Sequence, residues 1–105
     1  LGAYAEAEQA TRVALRERPL DPSLHHLLGM VLSKQGRESE AVAHYRRAAS
    51  ERRDDANYRF DLLLSLCTLA RADEFEDALG QALRDFADDA RFPALIDRCR
   101  SDSSS

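Results

Sequence analysis

The sequence predicts an all-α protein, a stack of antiparallel helical hairpins in a single domain. Three observations predict it. Small and apolar residues recur at helical spacing in six windows, and no window alternates in the manner of a strand. Prolines, glycines and charged clusters break the chain between these windows. The chain also resembles itself when slid by 34 residues. Over 2–21 against 36–55, eight of the 20 pairs are identical: Gly2/Gly36, Glu6/Glu40, Ala7/Ala41, Arg12/Arg46, Ala14/Ala48, Glu17/Glu51, Arg18/Arg52 and Asp21/Asp55.

The first window, YAEAEQATRVALRER, sets Ala7, Ala10, Ala14 and Leu15 on one helix face. PLDP ends it, because Pro19 and Pro22 cannot both lie in a helix interior. The second helix starts near Ser23 and continues to Lys34, where QGR breaks it and Gly36 suits a left-handed helix end. Ala41, Tyr45, Ala48 and Ala49 mark a third helix, and RRDDAN separates it from a fourth in YRFDLLLSLCTLA. RADE precedes a fifth in FEDALGQALRDFA. DDARFP leads to a short sixth, with Phe92, Leu95, Ile96 and Cys99 on one face as a lid for the last hairpin. The expected boundaries are residues 1–100 for the domain and 101–105, SDSSS, for a disordered polar tail.

Bulk properties exclude several classes. The chain has 105 residues, 44% hydrophobic and 32% charged, so it is neither a disordered segment nor a membrane span. No apolar run approaches the roughly 20 residues a bilayer requires. The net charge of −4 argues against nucleic acid. The basic stretch YRRAASERR, 45–53, is interrupted by Glu51 and followed by Asp54 and Asp55, so it reads as a solvated helix face. The chain opens with Leu rather than Met and is expected to be a fragment of a longer protein. Two cysteines, Cys67 and Cys99, lie outside any CxxC or metal spacing and are read as buried thiols, with a disulfide expected only in a periplasmic setting; a cytoplasmic compartment is favoured over a periplasmic one.

The repeat pattern resembles the tetratricopeptide repeat (TPR), a 34-residue helix–turn–helix unit. Leu28-Gly29, Gly36, Ala41, Tyr45 and Ala48 fill its signature positions in one complete unit, and Ala7, Ala14 and Pro19 fill the end of the preceding one. The resemblance implies a hairpin solenoid of about two and a half repeats plus a terminal helix. Residues 1–21 would be the second helix of a partial repeat, 22–55 a complete repeat, 56–90 a divergent repeat and 91–100 a capping helix. It explains Gly29, which costs a helix interior roughly 1 kcal/mol. In such a hairpin Gly29 lets the second helix approach, with Ala41 as its small partner. There are departures. Leu63 replaces the helix glycine, and Arg53 replaces the closing proline. The last half fits a shift of 37, with Asp73 over Gly36, Ala78 over Ala41 and Asp85 over Ala48, implying three extra residues near LARAD and looser packing at the end.

The resemblance also implies a concave groove lined by the first helix of each unit. Its expected residues are Ser23, His26, Met30, Ser33 and Lys34, then Asn57, Phe60, Leu64, Cys67 and Thr68. Helical spacing agrees in part, since His26, Met30 and Ser33 share a face, as do Phe60, Leu64 and Cys67. Some TPR domains clamp C-terminal carboxylates with Lys, Asn and Arg. His26 and Met30 stand where that clamp carries Lys and Asn, so the expected ligand is an amphipathic helix or an apolar extended segment. His25 and His26 point about 100° apart and cannot chelate one ion, and His44 is alone on another helix. No metal or cofactor is expected. No glycine-rich phosphate loop or GxSxG motif is present, and the acidic residues of DEFED fit a helix start, so no catalytic role is expected.

The expected function is a protein–protein interaction or scaffold module. The alternatives are an accessory domain of a larger enzyme, such as a transferase, or a self-assembly module. Composition looks bacterial. With its opening helix missing, the N-terminal end of the stack is expected to be covered by another copy, a swapped helix or a further segment.

Overall fold

A computed structural model describes the backbone of residues 2–104 and the side chains of residues 2–99. These form six helices and no strand: α1 (Gly2–Glu17), α2 (Pro22–Lys34), α3 (Glu38–Glu51), α4 (Ala56–Thr68), α5 (Ala72–Asp85) and α6 (Arg91–Ser104). Each helix packs on the next in chain order, and α6 also reaches back to α4. The body measures 38 × 30 × 20 Å.

Short polar signals set the helix boundaries. The Asp21 carboxylate accepts from the backbone N–H of Ser23 and Leu24 at 2.9 and 3.4 Å, and Pro22 needs no such partner in the first turn. Asp55 accepts from Asn57 and Tyr58 at 3.0 and 3.2 Å, and Asp89 accepts from Arg91 N–H at 3.1 Å. Helix α2 ends in a left-handed turn at Gly36, φ 78°, where Gly36 N–H donates to the Ser33 carbonyl and Arg37 N–H to the Leu32 carbonyl.

The 34-residue spacing persists through α5 to the start of α6. Ala70, φ 57°, occupies the place of Gly36, with Ala70 N–H donating to Cys67 and Arg71 N–H to Leu66. The pairs Ala41→Arg37 and Phe75→Arg71 correspond, as do Arg52→Ala48 and Phe86→Ala82. The three extra residues expected near LARAD are therefore absent. The position of Ala41 is taken by Phe75 rather than Ala78, and that of Ala48 by fully buried Ala82 rather than Asp85. Neither a turn glycine nor a small alanine marks the register here, because Ala70 stands in the place of Gly36 and Phe75 in that of Ala41. An alanine here adopts the left-handed turn, which a Cβ makes costly but not forbidden.

The core runs unbroken from α2 to α6, through Leu28, Leu32, Val42, Tyr45, Leu63, Leu66, Phe75, Leu79, Phe92 and Leu95. Gly29 is buried as expected, but its close neighbour is Tyr45 and not Ala41: a Cβ on Gly29 would lie 2.7 Å from two ring carbons of Tyr45. The lid residues Phe92, Leu95 and Cys99 are buried. Helix α1 is the least covered element. Thr11 is its buried residue, Ala7, Ala14 and Leu15 are half-buried, and Ala10, Tyr4 and Val13 are exposed. Helix α6 continues to Ser104, into the stretch expected to be a disordered tail; extending a formed helix fixes one residue per added bond, a smaller cost than nucleation. Ser105 lies outside the described residues.

Candidate functional site

Helices α2, α4 and α6 lie side by side, and their side chains divide into two sets. One set is spent between the helices. His26 Nε2 bonds Asp61 Oδ2 at 2.7 Å, and its ring lies 4.5 Å from that of Tyr58. Phe60 meets Phe92 edge-on at 6.1 Å and carries the Arg91 guanidinium over its face at 5.1 Å. Asn57 Oδ1 accepts from Arg91 Nη1 at 2.8 Å. Cys67 is joined to Cys99 in a disulfide with Cα atoms 5.7 Å apart. The reading of these cysteines as free thiols is therefore corrected. The packing of α6 on α4 brings together two residues 32 apart in sequence, and no local spacing rule reports that.

The second set opens onto a cavity of about 360 Å³ among α2, α3, α4 and α6. Met30, Ser33, Lys34, Leu64 and Thr68 line it, five of the ten residues expected to form a groove. Ser23 lies outside it, exposed at the start of α2, with its hydroxyl donating to Asp21 at 2.7 Å. Sequence reasoning did not find Glu38, Asp61, Ser65 and Arg98, which also line it. Glu38 accepts from the Ser33 hydroxyl. Tyr45 closes the floor; burial, helped by the nearby Asp61 and Glu38 carboxylates, pushes its phenol up to about 12, against the Ser33 hydroxyl. Lys34 and Arg98 have no ion pair among the described residues, so the cavity offers two free cations and two engaged carboxylates around the exposed thioether of Met30 and half-buried Leu64.

Three further polar clusters escaped the sequence. His25 is buried and bonds the Pro19 carbonyl through Nε2 at 2.7 Å. A carbonyl only accepts, so Nε2 carries the hydrogen, and His25 Nδ1 then accepts from His44 Nδ1–H at 3.1 Å. Burial holds the His44 pKa below the usual value of 6.5, with His25 and Arg12 adding to the effect and Glu40 opposing it. One repeat later Arg59 stands in the place of His25. It is buried, donates to the Arg53 carbonyl at 3.1 Å and to Asp85 at 2.6 Å, and lies over Phe86. Hydrogen bonding to Arg59 keeps Asp85 below its usual carboxylate value. On α1, Glu8 accepts from Gln35, Arg37 and Arg12, and these bonds lower it to about 2.

The described residues contain no group of three or more potential metal ligands. No described helix is long and apolar enough to cross a membrane. The basic stretch on α3 is partly neutralised by the next hairpin, where Arg46 pairs with Glu74 of α5 at 3.0 Å. No protein-family model and no curated protein sequence matches this chain.

Proposed function

We propose that the chain is a TPR-type interaction module that binds a peptide or helix from another protein along the concave face of α2, α4 and α6. Support for the repeat class comes from the 34-residue recurrence of cap and turn hydrogen bonds at Asp21, Asp55 and Asp89 and at Gly36 and Ala70. The observation that carries the binding reading is the cavity around Met30 and Leu64. Met30 is 41% exposed, and methionine adapts to varied apolar partners. Lys34 and Arg98 at the rim, with Glu38 and Asp61, favour a segment that presents an apolar side chain flanked by both charges rather than a bare carboxylate. The test is a peptide library panned on the immobilised domain. Met30→Glu should abolish the selected binding and leave the helical circular dichroism unchanged; equal binding by Met30→Glu would refute this site.

A second reading, self-assembly, draws on α1. Ala7 and Ala14 are half-buried, whereas Ala41 and Ala48, one repeat on, are fully covered. Sedimentation of the parent and Ala10→Glu tests it: association that the charge abolishes supports a second copy on α1, and a strict monomer at high concentration rejects it.

A further inference from the structure

The two hairpins differ at one corner, and the difference leaves room for a ligand. In the first, His25 of α2 meets His44 of α3, Nδ1 to Nδ1, at 3.1 Å. One repeat on, Arg59 stands in the place of His25 and Ala78 in that of His44. A methyl thus replaces an imidazole, and Arg59 and Ala78 line a cavity of about 420 Å³ among α3, α4 and α5. That volume falls in the range of small-molecule sites. The cavity shares no lining residue with the one around Met30. Arg59 is buried, and only part of its hydrogen-bonding capacity is used. Its Nη1 donates both to the Arg53 carbonyl and to Asp85, and the face of its guanidinium lies over Phe86. Nε and Nη2 have no protein partner, yet among the described residues no buried side-chain nitrogen is left unpaired. Those N–H groups therefore reach solvent, from a side chain that lines the cavity. The Nε–Nη2 edge of a guanidinium is a planar fork that matches a carboxylate.

We infer that this cavity binds a small organic monocarboxylate, with the carboxylate on Arg53 and the Nε–Nη2 edge of Arg59 and an apolar body against Ala49, Leu62 and Ala78. Arg53 lines the cavity, exposed and without an ion pair among the described residues. Ala49, Leu62 and Leu63 are buried in its apolar wall, and half-buried Ala78 continues it. The other charges limit the ligand to a single negative one. Arg46 is paired with Glu74 at 3.0 Å, and Asp85 balances Arg59 at 2.6 Å. Arg53 alone is left to neutralise an incoming anion, and a second negative charge would face Glu74 and exposed Asp77 in the same lining. The site does not rest on the concave-face reading above.

The test is titration of the isotope-labelled chain with hexanoate, followed by two-dimensional NMR, beside hexylamine, adipate and inorganic phosphate. Hexanoate should give saturable shifts at the amides of Ser50, Arg53 and Ala78, with a Kd of about 1 mM or tighter. The amine, the dicarboxylate and phosphate should each bind more weakly by about tenfold or more. Arg53→Gln, an exposed change that leaves the helical circular dichroism intact, should weaken hexanoate by about tenfold through the lost charge-assisted bond. Ala78→His, which restores the histidine of the first hairpin, should abolish binding by filling the cavity; if that variant does not fold, Arg53→Gln and the ligand panel decide. Met30→Glu should bind hexanoate as the parent does, so loss of the concave-face reading and loss of this site are separate results. The absence of saturable shifts at those amides would overturn the site, as would equal affinity in Arg53→Gln. Phosphate or hexylamine binding as tightly as hexanoate would also overturn it, since the cavity would then read bulk charge or apolar surface alone. Adipate binding as tightly would overturn the limit to one negative charge.

Discussion

The two complete hairpins, α2–α3 and α4–α5, share one backbone plan and fill it with different side chains. In the first, Gly29 accepts the ring of Tyr45; at the same places the second carries Leu63 and Leu79, both buried. The first ends its leading helix at Gly36 and the second at Ala70, each in the left-handed region. The first ties its entry corner with His25 to the Pro19 carbonyl, the second with Arg59 to the Arg53 carbonyl. The comparison teaches that the 34-residue plan is held by turns, caps and helix spacing. The interior needs only complementary volumes: small against large in one hairpin, two of intermediate size in the other.

The largest expected effect lies at the end of the second hairpin. Phe92→Ala should cost about 3–5 kcal/mol in a urea melt, because a fully buried ring contacting Phe60 and Phe86 leaves a cavity that cannot collapse. A loss below 1 kcal/mol would show that α6 is a loose appendage. Next comes Gly29→Leu, expected to destabilise by about 1–3 kcal/mol through overpacking against Tyr45. Adding Tyr45→Leu should recover most of that loss by copying the Leu63/Leu79 solution. A double variant as unstable as the single would break the comparison between the hairpins.

The turns should respond in opposite directions. Gly36→Ala should cost about 1 kcal/mol and Ala70→Gly should gain up to about that much, since each exchanges a Cβ at positive φ. Equal and small effects at both sites would mean that the turn strain is relieved elsewhere.

The smallest effect is the pH response of α1 and the first hairpin. The His44 pKa is lowered in the folded chain, so the unfolded chain binds the proton first as pH falls. The stability that His44 contributes is present above its ordinary value of 6.5 and declines as pH drops below it. Thermal midpoints of the parent should therefore fall more steeply than those of His44→Gln between about pH 7 and 5. Glu8 acts lower, between its ordinary 4.5 and about 2, where protonation removes its bonds to Gln35, Arg37 and Arg12. Parallel pH profiles for parent and His44→Gln would remove the histidine pair from the account.

The sequence by itself determined the helices, their breaks and the repeat. Asp21, Pro22, Gly36 and the alternation of apolar faces act over a few residues, and short-range rules read them directly. It also placed Phe92, Leu95 and Cys99 inside. Only the tertiary structure decided what those residues touch. His26, Phe60 and Cys67 share a helical stripe with Met30 and Leu64, yet they face a neighbouring helix rather than open space. The register of the last hairpin, the Tyr45 ring over Gly29, the His25–His44 bond and the Cys67–Cys99 link depend on how helices rotate about their axes when they pack. That rotation follows from summed contacts between residues 16 to 35 apart, such as Gly29–Tyr45 and His26–Asp61, and no local spacing encodes it.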